Sequence, residues 1–418
     1  MRKRILIGLG ALVLLLAAGA AAAWYWNEQQ TGDVRGSSTR EFVTTQEPGS
    51  STRPQEEVKA VPWPTYGFDA QRTRFAPEFK LRPPFRKVWT VRGGSLIEFP
   101  PVVAFGRVYF TTGKGIVTAA DAATGEIVWR KNFNRCMAAS PQVGDGVVYV
   151  ALMARECVKP NRKADGGIVA LDAETGEEQW QFDSGVVEAS PLLANGLLYF
   201  GSWDRNVYAI DPETGTKVWS FRTGNEVKSS VAYDNGTVYA GSYDGKVYAL
   251  YARGGKLRWA SGGRPGLRGS GNFYATPAVA YGRVFIGSTD GKVYAFGAKT
   301  GDLIWAHSTG NYVYSSAAVY RRTVYVGSYD KRFYALDAAT GDVKWRYTAN
   351  GEISGSPTVI AGVVYFATLK ERTYGLDAES GERVWTYPDG KYSPIVADSE
   401  RLYLTGYARV YGFEPTLG

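Results

Sequence analysis

A segment of about 40 residues recurs through most of this chain and constrains its fold more than any other feature. Each copy ends in a tryptophan that follows a turn of the type Asp-x-x-Thr-Gly, as in DAETGEEQW at 172–180 and DAATGDVKW at 337–345. Spacings of 40, 51, 39, 40, 46, 40 and 40 residues separate eight such tryptophans, which are Trp89, Trp129, Trp180, Trp219, Trp259, Trp305, Trp345 and Trp385. Such repeats are single structural units that bury a core only by stacking on one another.

Within each repeat, short runs of β-branched and aromatic residues alternate with turn residues. Between 187 and 222, LLYFGS and NVYAID are typical strand sequences, and Asn195-Gly196 is typical of a two-residue hairpin turn. One strand precedes that turn and a last one carries Trp219. Each repeat therefore predicts four antiparallel strands, A to D, and a four-stranded period of 40 residues is typical of a propeller blade.

The two ends of the repeat region complete each other. Trp89 lies on a D-type strand that no A, B or C strand precedes. The C-terminus offers three strands, around 392–397, 401–405 and 409–413, but no D strand. Pairing the two ends closes the ring and removes an exposed sheet edge. The sequence therefore predicts an all-β fold, an eight-bladed β-propeller over residues 61–418, with blade 8 built from both ends.

The glycines and tryptophans of the repeat have a structural interpretation. Gly176, Gly215 and Gly341 are expected at positive φ in the C–D turns, where the aspartate accepts main-chain hydrogen bonds. The eight indoles are expected to cover the seams between neighbouring blades.

Composition excludes several kinds of site. One histidine cannot supply a multi-histidine metal site, and two cysteines cannot hold a four-thiolate zinc or iron–sulfur site. The absence of a Cys-x-x-Cys-His motif excludes covalent haem of the cytochrome c type. The net charge of +8 is scattered along the chain, so we expect no nucleic-acid partner.

The N-terminus predicts export. MRKR precedes an uncharged apolar run, 5–26, which is long enough to span a bilayer and is oriented by the preceding positive charges. We expect residues 1–26 to be an uncleaved signal anchor that spans the cell membrane once, with the propeller on the extracytoplasmic side. The alternative is a cleaved signal peptide and a secreted protein. Residues 27–60 are polar and charge-balanced, which predicts a disordered linker.

The pattern Ala-x-Asp-x-x-Thr-Gly-x-x-x-Trp, complete at 170–180, 209–219 and 335–345, resembles the tryptophan-docking repeat of the pyrroloquinoline quinone (PQQ) type propeller family. The resemblance covers about residues 63–414, including the lead-in WPTYGFD at 63–69, and implies the fold. It leaves two functional branches open. Quinoprotein dehydrogenases hold PQQ and calcium in this fold, whereas the BamB-type propeller of the outer-membrane assembly machinery is a non-catalytic protein-binding scaffold.

This sequence departs from both branches. Cys136 and Cys157 are 21 residues apart, so the adjacent cysteine pair of many quinoprotein dehydrogenases is missing, and the blades have few insertions that would enclose a cofactor. The acylated N-terminal cysteine of the assembly lipoprotein is missing too. We therefore transfer no catalytic, cofactor-binding or metal-binding residue, and PQQ and calcium belong only to the alternative interpretation.

The A strands of a propeller line its axis, so residues at their start predict the channel mouth. The position two before the recurring Ser-Pro, Ser-Ser or Thr-Pro pair gives Glu98, Ala138, Glu188, Lys228, Tyr274, Tyr314, Ser354 and, with a shift of one residue, Lys391. This ring balances acids and bases, whereas an anionic tricarboxylate such as PQQ favours concentrated Arg and Lys. We expect a hydrated mouth, and the alternative is a small-ligand site.

Two insertions and both cysteines are predicted at one face of the ring. Residues 153–166 lie in the B–C loop of blade 2 and residues 262–271 in the D–A connection between blades 4 and 5, both on the side of the mouth. Inserted loops on a regular scaffold often carry binding residues. An acidic partner is expected to contact Arg155, Lys159, Arg162, Lys163, Arg264 and Arg268. Cys136 and Cys157 lie at the same end of blade 2 and, after export, are expected to form a disulfide.

Together these patterns predict a membrane-tethered, monomeric scaffold outside the cytoplasm that binds a protein or an anionic envelope polymer, with envelope assembly as its setting. The first alternative is a PQQ-dependent oxidoreductase of alcohols or sugars. The second is a ligand-sensing ectodomain. Whether the chain is an enzyme stays open at this point.

Overall fold

The computed structural model describes residues 2–44, 63–77, 79–155, 165–264, 271–392 and 395–416, with the main chain alone for residues 2–12 and 29–31. Eight four-stranded antiparallel sheets lie around a ring, and innermost strands of neighbouring sheets contact each other. The chain is the eight-bladed β-propeller that the repeat predicts.

In blades 1 to 7 the strands follow chain order from the inner A strand to the outer D strand. Blades 1 and 2 contain β3 Val102–Ala104, β4 Arg107–Thr111, β5 Ile116–Asp121, β6 Ile127–Asn132, β7 Gln142–Gly144, β8 Val147–Leu152, β9 Gly166–Asp172 and β10 Glu178–Ser184. Blades 3 and 4 contain β11 Leu192–Ala194, β12 Leu197–Gly201, β13 Asn206–Ile210, β14 Lys217–Arg222, β15 Ala232–Asp234, β16 Thr237–Gly241, β17 Lys246–Tyr251 and β18 Leu257–Gly262. Blades 5 and 6 contain β19 Ala278–Ala280, β20 Arg283–Gly287, β21 Lys292–Gly297, β22 Leu303–Ser308, β23 Ala318–Tyr320, β24 Thr323–Gly327, β25 Arg332–Asp337 and β26 Val343–Thr348. Blade 7 contains β27 Thr358–Ile360, β28 Val363–Thr368, β29 Arg372–Asp377 and β30 Arg383–Tyr387.

Blade 8 is built from both ends of the chain. Its sheet contains β31 Ile395–Ala397, β32 Leu402–Thr405, β33 Arg409–Pro415 and, as the outer strand, β2 Phe85–Arg92. β2 pairs antiparallel with β33, with Trp89 opposite Gly412 and Arg92 opposite Arg409. The main-chain hydrogen bonds of this pair, together with an ion pair between Arg86 and Glu414 at 2.8 Å, therefore join the two ends of the ring, as the missing half-repeat predicts.

A tryptophan of one blade and the C–D turn of the next meet at each of seven seams. At the first, Nε1 of Trp129 donates to the carbonyl oxygen of Ala173 at 3.2 Å. Gly176 in that turn has a φ of +74°, and a Cβ there would lie 2.8 Å from the Trp129 ring, so glycine is required. The same hydrogen bond is made by Trp89, Trp180, Trp219, Trp259, Trp305 and Trp345.

The seam between blades 7 and 8 is different because no C–D turn joins the two chain ends in blade 8. Trp385 packs there against Phe85 of β2 and Phe413 of β33, with ring centroids 5.8 and 6.0 Å apart. Aromatic contacts thus take the place of the docking turn.

Residues 63–76, which we call the belt, run around the inside of the ring. Carbonyl oxygens of Pro64, Ala70, Gln71, Thr73 and Arg74 accept hydrogen bonds from the inner strands of blades 2, 4, 5, 6 and 7. The belt ends in a short strand, β1 Phe75–Ala76, which pairs parallel with β27. Arg72 is fully buried and donates to the carbonyl oxygens of Pro191 and Val231. The belt therefore fills the channel and ties its inner strands together.

An N-terminal helix, α1 Arg2–Thr31, precedes the propeller. In the part of the chain that the structure describes, no helix is long and apolar enough to cross a membrane. Residues 33–43, which we call the docked segment, belong to the predicted linker and lie against blades 5 and 6. Val34 pairs antiparallel with Ala306 of β22, and the Val43 N–H donates to the carbonyl oxygen of Tyr281. The remaining linker residues, 45–62, lie outside the described residues.

Candidate functional site at the channel mouth

A small cavity of about 50 Å³ opens at the axis of the ring, above the belt. Tyr66 of the belt lies at this cavity, and its hydroxyl is 3.2 Å from Ser356 Oγ. Five residues of the predicted mouth ring line it: Glu98, Lys228, Tyr274, Tyr314 and Ser354. Blades 1, 4, 5, 6 and 7 thus bring an acid, a base, two phenols and a serine hydroxyl from just before their inner strands to one place.

The other predicted ring members lie outside the lining. In blade 8 the lining residue is Tyr392, not Lys391. The Lys391 ammonium is 3.9 Å from a Glu371 carboxylate oxygen and 4.9 Å from the Tyr407 ring centroid. In blade 8 the residue next to the predicted one therefore lines the cavity. Ala138 is buried.

Glu188 lies behind the cavity wall and is fully hydrogen-bonded there. Its Oε1 accepts from the Tyr274 hydroxyl at 2.8 Å, and its Oε2 accepts from Trp203 Nε1 at 3.1 Å. Burial raises the pKa of Glu188, although the nearby charge of Lys228 and these two donors act in the opposite direction. The carboxylate of Glu188 thus fixes the two aromatic side chains that form this side of the mouth.

Glu98 is the titratable group of the cavity. Burial, with a smaller contribution from the charge of Glu188, raises the pKa of Glu98 to about 7. Near neutral pH its carboxyl group therefore exchanges between an acid that donates and an anion that accepts. Burial and the charge of Glu188 also raise the pKa of Tyr274 well above its ordinary value, so the phenol stays protonated.

Lys228 is held by aromatic rings and an acid. Its ammonium lies 3.7 Å from the Trp203 ring centroid and 4.7 Å from that of Tyr243. A carboxylate oxygen of Glu226 is 3.6 Å away. Cation–π contacts of this kind are worth about 0.5–2 kcal/mol. The cation of the mouth is therefore already engaged within the protein.

Beside the cavity lies a group of aromatic side chains, which we call the aromatic rim and which the repeat pattern does not predict. Tyr274, Tyr314 and Tyr329 stack edge to face in series, with centroids 5.3 and 5.1 Å apart. Tyr312 and Tyr407 are about half exposed beside them. The recurring turns Ser-Trp-Asp and Ser-Tyr-Asp could have indicated these aromatic side chains, since their middle residues are Trp203, Tyr243 and Tyr329.

The cavity residues do not fit PQQ with calcium. The lining presents the Glu98 carboxyl group, backed by Glu188, where a tricarboxylate quinone would need positive charge. Lys228 is the one cation in the described lining, and it is paired with Glu226. Among the described residues, no group of three or more His, Cys, Asp or Glu side chains could hold a metal ion. A volume of about 50 Å³ has room for one or two waters, not for a fused tricyclic ligand.

The predicted binding-face loops are only partly described. Cys157, Lys159, Arg162, Lys163 and Arg268 lie outside the described residues. The Arg155 main-chain N–H donates to Asp165. Arg264 donates from Nη1 to the carbonyl oxygen of Gly32 at 2.7 Å, just after α1. The guanidinium of Arg264 therefore contacts the chain itself, and its contact with a partner stays a prediction.

Cys136 is disulfide-bonded and buried at the start of blade 2. The chain has two cysteines, and Cys157 is not among the described residues. The pairing of Cys136 with Cys157 stays a prediction.

Two curated proteins align with parts of this chain. A 1-butanol dehydrogenase (cytochrome c) of Thauera butanivorans is 26% identical over 151 residues, 32% of this chain and 20% of that protein. Outer membrane protein assembly factor BamB of Burkholderia pseudomallei is 33% identical over 118 residues, 27% of this chain and 30% of that protein. The chain therefore spans less than a third of either curated relative.

A solved europium-containing methanol dehydrogenase has the same fold, with a TM-score of 0.71 and 13% identity over 85% of this chain and 98% of its own. At that identity the likeness shows the fold alone. The family model described as outer membrane protein assembly factor BamB matches residues 85–202, 203–317 and 290–416, which together include nearly the whole propeller. The chain therefore belongs to this family of PQQ-like, BamB-type β-propellers.

Proposed function

We propose that the chain is a binding scaffold for another protein, held at the membrane outside the cytoplasm, and that it engages its partner through the mouth and the aromatic rim. The filled channel is the observation that carries this proposal. Because the belt occupies the interior and leaves about 50 Å³ at the mouth, the ring offers a surface for contact rather than a chamber for a cofactor.

The chemistry of the rim supports a protein partner. Tyrosine and tryptophan are enriched at protein interfaces because they provide a large contact area and a polar group at low entropic cost. Tyr312 and Tyr407 expose 49% and 46% of their surface, and Trp203, which contacts Lys228 of the mouth, is half-buried. The name of the matching family, an outer membrane protein assembly factor, agrees with a protein partner. An anionic envelope polymer is the less supported choice, because Arg264 of the expected basic face contacts Gly32.

The membrane tether of the proposal rests on the N-terminal sequence. Three basic residues precede an uncharged run at 5–26, and Trp24, Tyr25 and Trp26 follow at the position of an interfacial aromatic belt. Cell fractionation of a C-terminally tagged chain, with carbonate extraction, tests it. Recovery in the soluble fraction after signal cleavage would contradict the tether but not the scaffold.

Site-specific photocrosslinking in living cells tests the scaffold. A photoreactive phenylalanine replaces Tyr312 at the rim or, as a matched control, Tyr251, which is 50% exposed at the C–D turn of blade 4 on the other side of the ring. We expect a discrete protein adduct from position 312 and none from position 251. Equal labelling from both positions, or none from either, would contradict binding at the mouth.

The second candidate is a PQQ-dependent oxidoreductase. The matching stretch of 1-butanol dehydrogenase (cytochrome c) favours it, since this stretch of 151 residues is longer than the 118 residues shared with the assembly factor. It requires that the belt and the mouth rearrange to admit the quinone. Quinone uptake with alcohol-dependent dye reduction would establish it over the scaffold.

A further inference from the structure

The docked segment shows how this propeller binds an extended peptide. Val34 adds to the outer edge of blade 5, where its N–H and carbonyl each hydrogen-bond Ala306 at 2.9 Å. The segment then crosses over Trp305 and leaves none of its side chain exposed. At this crossing the Gly36 N–H donates to the carbonyl oxygen of Thr340. A Cβ at Gly36 would lie 2.7 Å from the Trp305 ring, so a glycine is needed at this crossing.

Beyond the tryptophan, the segment lies in the seam between blades 5 and 6. Nη2 of Arg283 donates to the carbonyl oxygens of Ser37 and Arg40 at 2.6 and 2.8 Å. Near the end of the segment, Phe42 stacks on Tyr281, with ring centroids 5.3 Å apart. The seam is thus a peptide groove that the chain itself fills.

The next seam repeats this groove 40 residues later, and no described residue fills it. It has a volume of about 1050 Å³, at the upper end of the range for ligand pockets, and lies between blades 6 and 7. Trp345 and Arg321 line it at the positions of Trp305 and Tyr281 in the filled seam, and Phe75 and Tyr320 form an apolar wall with ring centroids 4.5 Å apart. Trp345 is only half-buried, unlike Trp305. β26, the adjacent edge strand, exposes 42% of Val343.

We propose that this open seam binds an extended segment of a partner protein in the manner of the docked segment, by strand addition to β26 followed by entry into the groove over Trp345. The internal copy in blades 5 and 6 identifies the kind of occupant. Strand addition to an exposed edge is a general mode of peptide recognition, in which main-chain bonds give affinity and side-chain pockets give specificity.

Charge selects one side chain of the bound segment. Phe42 stacks on Tyr281 in the filled groove, and Arg321 takes the place of Tyr281 in the open one. Arg321 is exposed and its guanidinium lies 5.1 Å from the Tyr320 ring centroid. Arg82 at the same groove is already within 3.7 Å of Asp377. The partner segment therefore carries an acidic residue at the position that corresponds to Phe42.

This inference rests on the proposed scaffold function only in requiring a protein partner, and its site is separate from the mouth.

A labelled peptide tests the groove. The probe is a fluorescein-labelled peptide with the sequence of residues 33–43 carrying Phe42→Glu, and its binding to the full chain in detergent is followed by fluorescence anisotropy. We expect saturable binding that Arg321→Glu weakens at least tenfold. The matched control Arg253→Glu, an exposed C–D turn position on the same side of the ring, should leave it unchanged.

A charge swap makes the test independent of folding defects. A peptide with Phe42→Lys should bind the Arg321→Glu protein at least tenfold more tightly than the unsubstituted protein. The proposal is overturned if no peptide binds saturably, or if binding ignores residue 321. A further variant has residues 45–62 replaced by a Gly/Ser stretch of equal length. If the peptide binds only to this variant, residues 45–62 of the chain itself occupy the groove, and the proposal is overturned. None of these outcomes bears on the mouth, which quinone titration and crosslinking at Tyr312 address separately.

Discussion

Arg283 and Ser37 are 246 residues apart in sequence, and the guanidinium of the first donates to the carbonyl oxygen of the second at 2.6 Å. The same guanidinium donates from Nη1 to the carbonyl oxygens of Ala338 and Ala339 at 2.7 and 2.6 Å. Arg283 thus joins the blade 5 edge, the blade 6 turn and the N-terminal segment. This one side chain turns a polar stretch that resembles a linker into part of the folded unit.

Arg283→Ala should release the docked segment. Losing several charge-assisted hydrogen bonds is expected to cost about 2–4 kcal/mol of unfolding free energy. Limited trypsin digestion should then cleave after Arg35 and Arg40 much faster than in the parent chain, as followed by mass spectrometry. Arg253→Ala, at an exposed turn, is the control. Equal cleavage rates in both variants would show that Arg283 does not hold the segment.

Deleting residues 85–91 should open the ring. The deletion removes most of β2 and leaves β33 as an unpaired edge strand, which favours aggregation. We expect loss of cooperative thermal unfolding and of the monomer peak in size-exclusion chromatography. A monomer that still melts cooperatively would contradict closure by β2.

The free energy of unfolding should decrease as the pH rises, because of Glu98. Its folded pKa of about 7 exceeds the ordinary 4.5, so the unfolded chain ionises first and the free energy of unfolding decreases between about pH 4.5 and 7. For a fully buried group this loss of unfolding free energy would be on the order of 3 kcal/mol, and the partial exposure of Glu98 makes it smaller. Glu98→Gln should flatten the curve in urea titrations between pH 5 and 8. Glu126→Gln, at an exposed turn, should not change it.

Removing the buried belt cation should destabilise the channel. Arg72 donates to Val231 O at 2.9 Å and to Pro191 O at 3.1 Å, which belong to different blades. Arg72→Ala leaves these carbonyl groups unsatisfied and is expected to cost about 3 kcal/mol or more. Thermal melting should show a drop of several degrees, while the far-UV spectrum keeps its β signature. An unchanged melting temperature would show that the belt contributes little to stability.

The disulfide prediction is tested by mass spectrometry of the non-reduced protein. We expect a peptide that joins Cys136 to Cys157, because both cysteines are predicted at the same end of blade 2 and an exported compartment favours oxidation. In the chain-entropy model, closing a loop of about 20 residues stabilises by roughly 3 kcal/mol. Reduction should therefore lower the melting temperature. Two alkylatable cysteines in the native protein would refute the pairing.

Blade number and closure could be predicted from the sequence because they depend on local repetition. The turn aspartate, the positive-φ glycine and the tryptophan recur at fixed spacing, so each seam repeats its neighbour. The register of the mouth ring could be predicted for the same reason in five blades, whereas in blade 8 Tyr392 lines the cavity instead of Lys391.

The belt and the docked segment could not be predicted in this way. Their contacts run through main-chain carbonyl groups, which any residue provides, and through single arginines that break the repeat. Arg283 stands where blade 6 has Thr323, and Arg72 lies in a segment without hydrophobic periodicity. The aromatic rim could not be predicted from the repeat either, because the recurring Ser-Tyr-Asp sequence is typical of a turn whatever residue stands between the serine and the aspartate.

Quinone binding by the intact chain tests the scaffold most directly. Purified full-length protein is titrated with PQQ in the presence of calcium, followed by absorbance and fluorescence, and then assayed for dye reduction with primary alcohols and sugars. The filled channel and the Glu98 and Glu188 carboxyl groups predict no saturable binding and no turnover. Stoichiometric uptake of the quinone with alcohol-dependent dye reduction would contradict the scaffold and establish an oxidoreductase.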